Sequence, residues 1–221
     1  MKRISIIQLV IILLILMLPA TQAAAGTIEG TVKVKGLRSP ADILVYLNKA
    51  PQPAIDLSGE KFVMDQQNLT FIPHVLPVPI GATVSFPNDD KVDHNVFSLS
   101  RTKKFNLGSY PPGKSTSVVF DKPGVVELRC DVHAEMLAYI LVMKNPYFGI
   151  TDEKGHFTIP DNRYLKAHGL TGIPELPAGT YKLKSRHPKL KTGQQNVTVA
   201  ESGTVNVELN LSRGTPGALY K

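Results

Sequence analysis

The chain has 221 residues and a mass of 24.1 kDa; it is 43% hydrophobic and 19% charged, enough to bury a real core and inconsistent with a disordered tail. With 17 Gly, 17 Pro and no Trp, the composition favours many short strands joined by turns and argues against an all-helical bundle. The 25 Lys and Arg exceed the 18 Asp and Glu by seven, yet no basic run is interleaved with aromatics, so nucleic-acid binding has no support beyond mild net charge.

Residues 1–25 read as a secretory leader. Lys2 and Arg3 precede an apolar stretch from Leu9 to Leu18, followed by Pro19 and the small-residue run ending in Ala23, Ala24 and Ala25. The stretch is shorter than the ~20 apolar residues that span a membrane, so cleavage after Ala23 or Ala25 is expected, with no membrane span afterwards. The expected location is the periplasm or the exterior. There a lone cysteine, Cys130, has no disulfide partner and stays reactive unless buried or bonded to something else.

From Gly26 the pattern is strand and turn. Residues 27–35 alternate and 43–47 form a short apolar run. The Pro-rich stretch from Lys49 to Ser58 reads as a crossing. Strands are expected at 69–73, 82–86, 95–99, 115–120, 125–130 and 137–143. Beyond Asn145 come turns at 151–155 and 176–179 and strands at 156–159, 180–185, 197–200 and 205–211. Regular short strands of this kind argue for sandwiches or barrels, here two β units in an all-β chain.

One constellation carries chemistry. Cys130-Asp-Val-His133-Ala-Glu-Met136 places a thiolate, an imidazole and a thioether on one tight loop, and His94 lies at the start of an earlier strand. Two His, one Cys and a weak axial Met form the ligand set of blue-copper sites, and soft sulfur with imidazole suits copper over calcium or magnesium. The same donors have other uses: an inert buried cysteine with an unrelated Met in the core, a zinc site, or a Cys–His nucleophile pair. Zinc seldom recruits Met, and no orienting third residue announces a nucleophile. His74, His156, His168 and His187 lack a matching cluster and read as ordinary polar residues. Lys182, Lys184 and Arg186 alternate along one strand face, read as solvated or as a lure for an acidic partner.

Residues 60–143 resemble the cupredoxin family. The Cys130-x-x-His133-x-x-Met136 spacing is most similar to the short-loop amicyanin type. Further likenesses are Pro79-x-Gly81-x-x-Val84-x-Phe86-x-Asn88, Asp93-His94-Asn95-Val96 and Phe120-Asp-Lys-Pro-Gly124. Met64-Asp-Gln66, Phe71-x-Pro73 and Pro146-Tyr-Phe148 resemble the cupredoxin-bearing methylamine utilization periplasmic proteins. The resemblance implies one type 1 copper held by His94, Cys130 and His133 in the equatorial plane and Met136 on the axis. It implies Asn95 pinning the ligand loop by hydrogen bonds, and an electron port at His133 lined by Pro111, Pro112 and Ala134. Asp131 and Arg129, flanking the cysteine, depart from the usual neutral and aromatic residues.

The flanks resemble a second family. Gly26-Thr-Ile-Glu-Gly-Thr-Val32, Thr151-Asp-Glu-Lys-Gly-His-Phe157 and Leu176-Pro-Ala-Gly-Thr-Tyr181 look like strands of carboxypeptidase regulatory-like, transthyretin-like sandwiches. The fold class expected is therefore a cupredoxin Greek-key β-sandwich inserted in, or joined to, a small transthyretin-like sandwich. The division is 26–55 for the first strands of the small sandwich, 56–144 for the cupredoxin unit, and 145–221 for the remainder and tail. The function implied is single-electron transport rather than enzymatic turnover, with a c-type cytochrome or a dehydrogenase as redox partner. Copper storage or delivery is the alternative, and a structural sandwich without metal the third reading. The sequence does not set the oligomeric state.

Overall fold

The computed structural model describes residues 26–214; the leader lies outside the described residues. Residues 26–214 form 17 strands and one short helix. Two hydrophobic clusters organise them, one for each pair of sheets.

The smaller cluster lies between two sheets. In the first, β1 (Gly26–Lys35) pairs antiparallel with β14 (His156–Ile159) and parallel with β17 (Gly203–Ser212) along its entire length, Gly26 opposite Gly203 and Lys35 opposite Ser212. The second runs β13 (Phe148–Ile150), β2 (Leu44–Asn48), β15 (Gly179–Arg186), β16 (Gln194–Val199). The period-2 alternation dictates which side chains enter: Ile28 and Val32 of β1, Leu183 of β15 and Val197 of β16 point inward. Gly30 shares that inward face because a Cβ there would lie 2.6 Å from Phe157 and Val207.

The larger cluster is enclosed by β10 (Ser115–Phe120), β7 (Ala82–Pro87) and β3 (Phe62–Val63) on one side. On the other stand β6 (Val75–Pro79), β12 (Leu137–Met143), β11 (Gly124–Arg129), β8 (His94–Leu99) and β9 (Lys104–Tyr110). A hairpin of β4 (Asp65–Gln67) and β5 (Thr70–Ile72) caps one end. Met64, Phe71, Phe86, Phe120 and Leu128 are fully buried between the sheets.

The two clusters meet where the chain crosses between them. The outgoing strand β2 and the returning β13 are neighbours, Tyr46 opposite Phe148. The Leu47 N–H donates to the Tyr147 carbonyl (3.0 Å), and buried Asn145 donates from Nδ2 to the Leu47 carbonyl (3.1 Å). Leu44 and Phe148 turn their side chains toward the larger cluster, which joins the sandwiches through apolar contact.

The strands expected from alternation are all present, with ends shifted by a few residues. Six elements were not read from the sequence: β3, β4, β6, β9, β13 and the helix α1 (Asn162–Ala167), whose N-cap Asp161 accepts from the Tyr164 N–H. The Pro-rich stretch 49–58 has no strand, as its composition foretells.

Candidate metal centre

Alternation along β11 sends Val126 and Leu128 into the core, and the next inward position is Cys130, 4% exposed at the strand's end. The chain then turns: the Met136 N–H donates to the His133 carbonyl (3.1 Å), closing a loop that leaves His133 half-buried and Met136 buried before β12 begins. His94 opens the neighbouring strand β8 and is fully buried.

These elements bring three donors together. Nδ1 of His94 lies 3.0 Å from Nδ1 of His133 and 4.0 Å from Sγ of Cys130, and the donor atoms of the three residues all lie within 4.8 Å of one another. Among the described residues this is the one group of three or more His, Cys, Asp or Glu so arranged. One thiolate and two imidazole nitrogens converging in a largely buried cluster suit a soft-tolerant transition metal, and the cluster is able to hold one copper ion. Met136 is buried in the same core, at the end of the same loop.

A shell of polar contacts fixes this arrangement. Nε2 of His94 stands 3.0 Å from Oδ2 of Asp90. The Asp90 carboxyl is held down to about 2 by the Leu69 N–H first, then by the His94 ring and the Lys91 N–H. Being ionised, it only accepts, so the His94 proton sits on Nε2 and the Nδ1 lone pair faces the cluster. The loop carrying Asp90 is organised by buried Asn88, whose Nδ2 donates to the carbonyls of Val92 (2.9 Å) and Tyr110 (3.1 Å) and whose Oδ1 accepts from the Asp90 N–H (3.1 Å). Behind it, Gln66 donates to the Tyr110 hydroxyl (2.6 Å), which donates to the Phe86 carbonyl (3.0 Å); burial pushes the Tyr110 phenol up to about 12.

Asn95 departs from its expected role. Its backbone N–H donates to Cys130 Sγ (3.5 Å), but its side chain turns away from the ligand loop and donates from Nδ2 to Oδ1 of Asn106 on β9 (2.8 Å). It therefore braces β8 against β9, and the tie to the sulfur comes from the main chain. Asp90 was missed in the sequence; the available signal was a carboxylate four residues before a metal-type histidine.

The other histidines have ordinary partners. His74 Nδ1 meets the Leu137 carbonyl, His168 Nδ1 meets the Tyr164 carbonyl and stacks on Phe62, and His156 faces Asp152. Val132 and Ala134, either side of His133 in the chain, are exposed, as are Pro111 and Pro112, and Arg129 pairs with Glu127 (2.6 Å). No helix among the described residues is long and apolar enough to cross a membrane.

No protein-family profile and no curated protein matches this chain. Solved structures do. A purple cupredoxin from Nitrosopumilus maritimus is 25% identical over 38% of this chain and 100% of that one, with a TM-score of 0.35. An amicyanin from Paracoccus versutus is 17% identical over 40% of this chain and 97% of that one, with a TM-score of 0.35. A Cu-containing nitrite reductase from Thermus scotoductus is 25% identical over 37% of this chain, which spans only 22% of the reductase, with a TM-score of 0.36. The sheets formed by residues 62–143 carry the His94, Cys130 and His133 cluster at one end.

Proposed function

We propose that this chain is an exported type 1 copper protein that carries single electrons between redox partners, with His94, Cys130, His133 and Met136 as the residues that would hold the metal. The convergence of two imidazole nitrogens on the only cysteine, in a buried pocket, carries this reading. Copper bound there would supply one-electron exchange between its two oxidation states. The chain's own residues do the rest. Asp90 and Asn88 hold the His94 ring in one orientation, the Asn95 N–H steadies the thiolate, and the β-sandwich resists the rearrangement that a change of oxidation state would ask for.

His133, the half-buried ligand, is the port, and the exposed Val132, Ala134, Pro111 and Pro112 form an apolar collar for a c-type cytochrome or a dehydrogenase. Residues 56–144 form the copper unit in this reading, carried by a small regulatory-like sandwich from 26–55 and 145–221, and the leader delivers the protein to the periplasm or beyond. The chain is a carrier and not an enzyme.

The test is the visible and electron paramagnetic resonance spectrum of the chain from Gly26 onward, loaded with Cu(II). An intense blue to purple band that bleaches reversibly on reduction is expected, and Cys130→Ser abolishes it. A colourless wild type or a blue Cys130→Ser protein sinks the assignment. Rapid exchange with a c-type cytochrome supports transport; a coloured protein that exchanges with none supports storage or delivery.

A further inference from the structure

We propose that the cleft between the two sandwiches is a docking site for an acidic polypeptide segment of a partner protein, separate from the metal centre. The cleft has a volume of about 210 Å³. Its walls are β2 on one side and the ends of β11 and β12 on the other. Gly124 and Val142 face each other at this end of the sheet, and Arg129 and Leu137 at the end that carries Cys130. Five steps of strand separate the two ends, roughly 16 Å at about 3.3 Å per residue. A partner held here leaves His133 uncovered.

The chemistry of the cleft is one-sided. Lys49, Lys144 and Arg186 line it, and no Asp or Glu does. None of the three makes an ion pair or a side-chain hydrogen bond among the described residues, whereas Lys33, Lys103 and Arg129 elsewhere are paired. Asp121, the carboxylate next along the chain from Pro123 at the rim, is already taken by Lys103 (3.0 Å). The cationic character continues outward along β15: Arg186 stands opposite Leu44, Lys184 opposite Tyr46 and Lys182 opposite Asn48, so the three share a face with the β2 residues that line the cleft. On the next strand Lys184 and Lys182 face neutral Gln194 and Asn196. Five cations on one continuous surface without a counter-charge complement an acidic partner.

The occupant follows from shape and floor. The floor is apolar, made by Leu44, Leu141 and Met143. An extended acidic segment places carboxylates on the cations and an apolar side chain on that floor; a phosphate uses only the cations, and a flat membrane surface cannot enter a recess between two sandwiches.

Binding of a short fluorescein-labelled peptide of glutamates with interspersed leucines to the full chain from Gly26 tests this, read by fluorescence anisotropy. The proposal expects Lys144→Glu combined with Arg186→Glu to weaken binding by about tenfold or more, and Lys35→Glu combined with Arg38→Glu, the same charge change on other surfaces, by less than about twofold. Equal losses in the two double variants mean a net-charge effect and overturn it. Displacement of the peptide by inorganic phosphate at comparable concentration, or by anionic lipid vesicles, reassigns the surface and overturns it as well. Amide chemical-shift mapping on the wild-type chain needs no variant to fold: shifts confined to 44–49, 123–125, 141–145 and 182–186 support the site, and shifts elsewhere refute it. None of these readouts depends on copper or on electron transfer.

Discussion

Asp90 sets the proton of His94 without touching the other donors. Its carboxylate oxygen stands 3.0 Å from Nε2, and three donors keep it ionised. Removing such an outer partner from a ligating histidine typically costs about 10–100-fold in metal affinity. Asp90→Ala should therefore weaken copper binding by that order, measured by competition with a chelator of known affinity, while the chain keeps its fold. An unchanged affinity would mean that packing alone orients the ring. At this scale the convergence of His94, Cys130 and His133 was legible: a lone cysteine three residues before a histidine, in a sequence whose leader points to export, has few uses. Asp90 was not legible, since a carboxylate four residues from a histidine means contact on a helix, and here a loop held by Asn88 creates it. Nor was Asn95 legible in full, because its neighbour Asn106 lies on a strand that the sequence did not reveal.

Whether a strand could be seen depended on how it is buried. β1 and β15 face solvent on one side and alternate plainly. β6, Val75–Pro79, is buried at all five positions and carries two prolines, so it shows neither period nor propensity. β9, Lys104–Tyr110, has the opposite fault, with Lys, Asn, Gly and Ser at a sheet edge and little to bury. Turn chemistry was easier to read. The Asp152-Glu-Lys-Gly155 turn places Gly155 at φ +83°, with the Asp152 carboxylate accepting from the N–H groups of Lys154 and His156. A Cβ at Gly155 would lie 2.3 Å from the Val32 carbonyl oxygen. Gly155→Ala therefore combines left-handed backbone strain with a backbone clash and should destabilise the chain by at least about 1–3 kcal/mol. A lowered denaturant midpoint at unchanged slope checks this; a midpoint equal to wild type would show that β1 and the turn part easily.

For the whole molecule, acid tests how the two sandwiches and their connecting segments hold together. Burial, aided by nearby Lys189 and by His74 of the other sandwich, holds His187 down to about 4. An unfolded histidine titrates near 6.5. Between these values the unfolded chain takes up a proton that the folded chain refuses, so this residue's contribution to stability is whole above about 6.5 and is lost as pH falls toward 4. His187→Gln should lose less melting temperature than wild type between pH 7 and pH 5, read by thermal unfolding at both. Parallel losses would take His187 out of the balance. The Pro-rich crossing and the change of style after Asn145 are what suggest two β units in the sequence. The joint itself could not be foreseen, because the Leu47, Asn145 and Tyr147 bonds tie residues about a hundred positions apart.

The pairing of β1 with β17 bears on how the chain carries load. The two strands run the same way, in register from Gly26 with Gly203 to Lys35 with Ser212. Tension entering ahead of Gly26 and leaving beyond Ser212 pulls them along their length in opposite directions, so the ladder is sheared as a unit and its hydrogen bonds resist together instead of peeling one by one. The segment holding His94, Cys130 and His133 lies between these strands in sequence and outside the line of force. A protein tethered at both ends would thus bear strain in its small sandwich and leave the donor atoms undisturbed.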